Sequence, residues 1–151
     1  MKIAFACDHG GLELKHALID HVSTKGYEWT DLGCYEAASV DYPVYGYKAA
    51  KAVQKGECDV GVIICGTGFG ISLAANKLRG IRAVVCSEPY TARLSRVHNN
   101  ANMLALGGRV VGTELAKMIL DVWLEAKFDG ERHARRVNQI GEIEETGEIS
   151  M

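Results

Sequence analysis

The residues best suited to chemistry lie together in Cys65-Gly66-Thr67-Gly68-Phe69-Gly70. Glycines at alternate positions let the backbone pass close to a ligand, and amides that open a following helix favour an anion or a developing oxyanion. Spacing excludes three other loops. A dinucleotide fingerprint needs glycine where Ile71 stands, a Walker loop needs Gly-Lys-Ser/Thr, and a cysteine phosphatase loop would place its arginine at Ile71. An uncharged glycine loop suits an enediolate oxygen better than a phosphate alone. Cys65 sits between a strand-like run and those amides, a setting that makes thiolate available as base or nucleophile. An isolated strand-end cysteine is ordinarily a small buried hydrophobe; the adjoining Gly-Thr-Gly moves Cys65 toward chemistry. Cys7, Cys34, Cys58 and Cys86 lack such a loop and are read as buried thiols.

Other candidates lie elsewhere along the chain. Asp8-His9 pairs a carboxylate with an imidazole, for acid/base work or for holding sugar hydroxyls and phosphate, with a helix N-cap as the competing role for Asp8. His98-Asn99 follows a predicted helix, where a histidine also complements the helix dipole. Arg132, His133, Arg135 and Arg136 form a basic cluster. Arg132 and Arg136 share a helix face and could grip a phosphate from two sides, the alternative being a solvated face paired with Glu131 and Glu142. His16 and His21 read as ordinary helix residues. A thiolate, an amide-rich oxyanion site, imidazoles and arginines describe proton transfer on a small phosphorylated carbonyl compound, and nothing calls for a nicotinamide or a metal.

The elements that must position these groups alternate. Strand-like runs cover 3–7, 28–32, 60–65, 83–86 and 103–106, with Trp29 and Leu32 expected to face the core. Helical spacing covers 12–25, 45–55, 71–78, 90–97 and 113–127. The last is clearest: Leu115, Met118, Ile119, Val122, Trp123 and Ala126 oppose Glu114, Lys117, Asp121 and Glu125. This alternation predicts a three-layer α/β Rossmann-like fold, a five-stranded parallel sheet flanked by helices. In such sheets ligands bind beyond the carboxyl ends of the strands, where Asp8-His9, the Cys65 loop, Ser87-Glu88 and Arg109 fall. Residues 131–145 carry only Val137, Ile140 and Ile143 as an apolar stripe, which suits a helix packed on a partner subunit or a peripheral helix of the same chain.

Composition sets the outer limits. The chain has 151 residues, 48% hydrophobic and 24% charged, as expected of one globular domain over 1–151. A formal net charge of −2 gives no general attraction to nucleic acid or to an anionic membrane. No apolar run is long enough to span a bilayer, and Met1-Lys2 leads into a strand-length run without a cleavage-site pattern. An odd cysteine count without a C-x-x-C pair excludes a disulfide framework and a structural zinc site, so a cytoplasmic protein with free thiols is expected.

Taken together, several segments resemble the sugar-phosphate isomerases that include type B ribose-5-phosphate isomerases and galactose-6-phosphate isomerase subunits. They are Cys7-Asp8-His9, Asp41-Tyr42-Pro43, Ile64 to Ser72, Ala75-Asn76-Lys77, Gly80 to Ala83, Arg93 to Asn99, Gly107 to Gly112 and Gly130 to Val137. The resemblance implies interconversion of ribose 5-phosphate and ribulose 5-phosphate through an enediolate, with no metal or organic cofactor. It implies Cys65 as the base moving a proton between C1 and C2, Gly66, Thr67, Gly68, Phe69 and Gly70 as the anion hole with Thr67 a catalytic residue beside the reacting centre, and His98 as the acid/base that opens the furanose. Asp8, His9, Tyr42 and Asn99 match substrate-binding positions. Arg109, Arg132 and Arg136 match a phosphate grip, the last two reaching in from the partner of a homodimer or dimer of dimers. Phe69 stands where a smaller aliphatic residue is usual, and Ser72 or a neighbour occupies the place of a glutamate base that some members use. Six-carbon sugar phosphates, such as allose 6-phosphate or galactose 6-phosphate, and a non-catalytic sugar-phosphate-binding role are the alternatives.

Overall fold

A computed structural model describes residues 1–151. Five parallel strands, β1 (Lys2–Cys7), β2 (Glu28–Asp31), β3 (Val60–Cys65), β4 (Ala83–Val85) and β5 (Met103–Gly107), form one sheet in the order β2-β1-β3-β5-β4. The helices are α1 (Leu12–Thr24), α2 (Tyr42–Gln54), α3 (Phe69–Ala75), α4 (Pro89–Asn99), α5 (Thr113–Glu125) and α6 (Glu131–Thr146). No helix is long and apolar enough to cross a membrane.

Strand periodicity divides the core. Ile3, Phe5, Cys7, Val60, Val62, Ile64, Leu104 and Leu106 point to one face and pack with α1, α4 and α5 around Leu18, Ile119 and Trp123. Ala4, Ala6, Ile63, Cys65, Met103 and Ala105 point to the other, beneath α2 and α3. The second face is lined by small residues, and Ala49, Ala50, Ala52 and Ala75 let α2 and α3 lie close on it. Right-handed crossovers require this division: β1 to β2 and β4 to β5 move one way across the sheet, whereas β2 to β3 and β3 to β4 move the other. The chain therefore leaves β1 and β3, which are neighbours, toward opposite faces, and the crevice between their carboxyl ends is the switch point at which such sheets bind ligands.

Several local expectations change. Trp29 is 41% exposed on the edge strand β2, where its indole N–H donates to Ser23 Oγ at 2.8 Å instead of entering the core. Helices α2, α3 and α4 start earlier than their apolar periodicity indicates, because Asp41, Gly68 and Glu88 occupy the N-cap positions. His98 and Asn99 lie inside the last turn of α4, and Asn100 ends it in the left-handed conformation at φ 48°.

Candidate active site

Three loops interlock beyond the carboxyl ends of β1, β3 and β5. The Asp8 amide donates to the Ile64 carbonyl at 3.0 Å, Gly108 N–H to the Cys65 carbonyl at 2.8 Å, and Arg109 N–H to the Gly66 carbonyl at 3.0 Å. Close approach explains the glycines: a Cβ on Gly10 would lie 3.2 Å from Gly66 N, and one on Gly11 would lie 2.6 Å from the Ile64 side chain. Gly68 is left-handed, at φ 83°, which turns the chain from β3 into α3.

Cys65 lies at the centre, only 4% exposed, and Gly68 N–H donates to its Sγ at 3.1 Å. An N–H aimed at sulfur is the bond a thiolate accepts. Burial pushes three thiols elsewhere in the chain up: Cys7 to about 12, with Cys58 and Cys86 also raised. Around Cys65, the Gly66 and Thr67 amides have no acceptor within the chain. Thr67 is exposed and its hydroxyl accepts from Phe69 N–H at 3.4 Å. Ser72, in the place of the alternative glutamate, is buried and donates to the Phe69 carbonyl at 2.8 Å.

Asp8 takes the capping role at the β1 loop: its carboxylate accepts from Gly10 N–H at 2.9 Å and caps the short 3-10 turn His9–Gly11. His9 Nδ1 accepts from Val40 N–H at 3.2 Å, which leaves the proton of a neutral ring on Nε2. The Arg109 guanidinium lies against Gly66, where an added Cβ would sit 3.2 Å from Nη1. The Tyr42 ring lies on Gly70, leaving about 2.6 Å for a Cβ there. Phe69 is 64% exposed and faces outward. A cleft of about 520 Å³ beside the loop is lined by His9, Gly10, Gly108 and Arg109. Glu88 only caps α4, accepting from Tyr90 and Thr91 N–H groups.

The other candidates are elsewhere. Helix α4 runs back from the carboxyl end of β4 to the amino end of β5, so its last residues, His98 and Asn99, stand at the opposite edge of the sheet. Its 11 residues span about 16 Å. Asp129 N–H donates to the Val97 carbonyl at 3.0 Å, which starts α6 at that same edge, and Gly80 N–H donates to Glu144 Oε2 at 2.8 Å, which keeps it there. Arg132 and Arg136 are exposed on α6 and join no ion pair; the expected partners Glu131 and Glu142 do not engage them. One chain therefore carries two groups of candidates, Asp8, His9, Tyr42, the Cys65 loop and Arg109 at the carboxyl edge, and His98, Asn99, Arg132 and Arg136 at the amino edge.

Sequence reasoning missed Lys15. Its side chain is fully buried, with Nζ 2.7 Å from Asp31 Oδ1 and 2.6 Å from the Cys34 carbonyl. The Cys34 amide in turn donates to the Cys7 carbonyl at 2.7 Å, so this pair braces the loop beside Asp8. The available signal was a lysine within the apolar stripe of Leu14, Leu18, Ile19 and Val22, with an aspartate closing the next strand.

Residues 3–140 match the family described as Ribose/Galactose Isomerase. Ribose-5-phosphate isomerase B of Escherichia coli is 57% identical over 144 residues, which is 95% of this chain and 97% of that protein. Solved structures agree. Ribose-5-phosphate isomerase B of Clostridium thermocellum superposes with a TM-score of 0.96 at 57% identity, covering 98% of this chain and 100% of that one. The Mycoplasma genitalium enzyme, solved with bound ribulose-5-phosphate, gives 0.93 at 40% identity, covering 96% and 97%. With this sheet, this glycine loop and these relatives, the chain belongs to the ribose/galactose isomerase family.

Proposed function

We propose that the chain interconverts D-ribose 5-phosphate and D-ribulose 5-phosphate in the cytoplasm, as the reaction joining an aldopentose phosphate to its ketose. The observation that carries this reading is the Cys65 sulfur held by the Gly68 amide at the entrance to a loop with unpaired N–H groups. His98 as imidazolium protonates the ring oxygen while the C1–O4 bond breaks, and the anomeric hydroxyl loses its proton to solvent, giving the aldehyde. Cys65 thiolate then takes the C2 proton. The C2–H electrons form the C1=C2 bond and O1 becomes negative, facing the amides of Gly66 to Gly70. The thiol returns a proton to C1 as the O2 proton passes to O1 and C2=O2 forms. Proton transfer of this kind uses side chains and amides alone, with no metal or organic cofactor in the scheme.

The two candidate groups at opposite edges support a site built from two chains, with His98, Asn99, Arg132 and Arg136 entering from a partner of a homodimer or a dimer of dimers. Exposed apolar side chains suit that arrangement. Phe69 and Leu73 are 64% and 66% exposed around the Cys65 loop, and Ile140 and Ile143 remain uncovered on α6. Arg109 and the partner's two arginines then hold the phosphate while Asp8, His9 and Tyr42 hold the sugar. The test is ribulose 5-phosphate formation by the purified protein, with allose 6-phosphate and galactose 6-phosphate assayed in parallel. Faster turnover of a six-carbon substrate would replace the pentose assignment; binding without turnover of any would make the protein a sensor.

A further inference from the structure

The imidazoles of His98 and His133 lie face to face, their centroids 4.2 Å apart and their planes 9° from parallel. His98 ends α4 and His133 lies in the first turn of α6, so the two elements that carry the amino-edge group meet through this stack. His133 is the one buried residue of α6, a helix of 16 residues whose Ile140 and Ile143 stay exposed. Within the chain α6 thus seats its histidine against α4, while its apolar stripe is left for the partner proposed above. The buried ring is therefore placed for its contact with His98.

We propose that His133 is a positioning residue for His98, fixing the plane of that imidazole through the stack. The proposal rests on His98 being the group that opens the sugar ring. The terminal torsion of a histidine is broad and roughly two-fold, so a ring at a helix end without a flat neighbour samples many planes. A parallel ring at van der Waals distance removes that freedom before substrate arrives. The charges act in the same direction. Burial, then His98, then Arg132 and Arg136, hold His133 below the ordinary imidazole range, and Asp129 alone opposes them. These groups come from α4, from α6 and from the loop before α6, and they bias His133 toward its neutral form.

Two substrates separate positioning from mere structure. Ribose 5-phosphate is a furanose that must be opened. D-Erythrose 4-phosphate has its ring-forming hydroxyl phosphorylated and presents an open chain. His133→Ala is expected to lower kcat/KM on ribose 5-phosphate about tenfold or more, with the tetrose value changed less than about twofold. His133→Phe, which keeps a flat ring, is expected to restore most of the loss. Equal losses on both substrates, no loss on ribose 5-phosphate, or no rescue by phenylalanine would overturn the proposal. If His133→Ala does not fold, the His133→Phe and His133→Gln pair carries the same comparison, flat ring against none. If the tetrose is not turned over by the wild type, entry of solvent deuterium at C1 of ribulose 5-phosphate, which needs no ring chemistry, takes its place. His98→Asn in the same assays isolates the underlying assignment. Equal losses there would remove the ring-opening role itself, whereas a selective loss for His98→Asn without one for His133→Ala would remove only the positioning role.

Discussion

Replacing Cys65 by serine separates its chemistry from its packing. The side chain is 4% exposed and accepts one amide hydrogen bond, from Gly68. Alanine would leave that amide without its acceptor, at a cost of about 1–3 kcal/mol. Serine keeps an oxygen in its place, so the fold should lose only about 1 kcal/mol, which for a chain of this size is about 2–4 °C in Tm. A serine hydroxyl stays protonated at neutral pH, so the proton-transfer step loses its base. General bases contribute roughly 10²- to 10⁴-fold, or about 3–5 kcal/mol of transition-state stabilisation. The expected result is kcat for ribose 5-phosphate reduced at least about 100-fold, with calorimetric affinity for the sugar phosphate within about threefold of wild type. Cys58→Ser, at a buried thiol before β3, serves as the control and should keep wild-type turnover. If Cys65→Ser retains turnover within about tenfold while folded, Cys65 is not the base.

Three further expectations concern the supports of the site. Asp31→Asn leaves the Lys15 ammonium buried without its anion and should cost about 3–5 kcal/mol, visible as a Tm drop of about 10 °C; Lys15→Met, which removes the charge, should cost less, and the reverse ranking would refute the ion-pair account. Glu88 is held below the ordinary carboxylate value of 4.5 by the N–H groups and hydroxyl of the α4 cap, chiefly Thr91. A depressed carboxyl contributes stability that is fully present above its unfolded value and is lost as pH falls through the lower folded one, so thermal melts should show Glu88→Gln with a shallower stability loss below about pH 4.5; parallel profiles would contradict this. Gly70→Ala puts a Cβ about 2.6 Å from the Tyr42 ring, which at 41% exposed can swing into solvent; the expected outcome is KM raised about tenfold with little change in Tm, and an unchanged KM would separate Tyr42 from the sugar.

Local pattern carried the elements, and distance in sequence hid their arrangement. The strand-like runs and the polar residues just after them were legible because periodicity and glycine spacing are local signals. Strand order was not legible: β5 lies between β3 and β4, and nothing in residues 83–85 or 103–107 encodes which neighbour each will take. The direction of α4 follows instead from the parallel β4-α4-β5 crossover, which returns the chain to the amino edge and carries His98 and Asn99 there. Trp29 failed as a core residue because β2 is an edge strand, and its indole found Ser23 instead. The Lys15 and Asp31 pair was obscured for the same reason, since each reads alone as a surface charge. The stack of His98 on His133 joins residues on separate helices, and no spacing rule foresees it.

The central claim, that Cys65 of one chain works with His98 and Arg132 of another, is tested most directly by subunit complementation. A Cys65→Ala chain and a chain carrying both His98→Asn and Arg132→Ala are each expected to be inactive. Mixed under conditions that reassort subunits, half of the dimers are hybrids with one intact site of two, so activity should return to about a quarter of wild type. A mixture that stays inactive, while tagged subunits show that exchange has occurred, would contradict a site shared between chains.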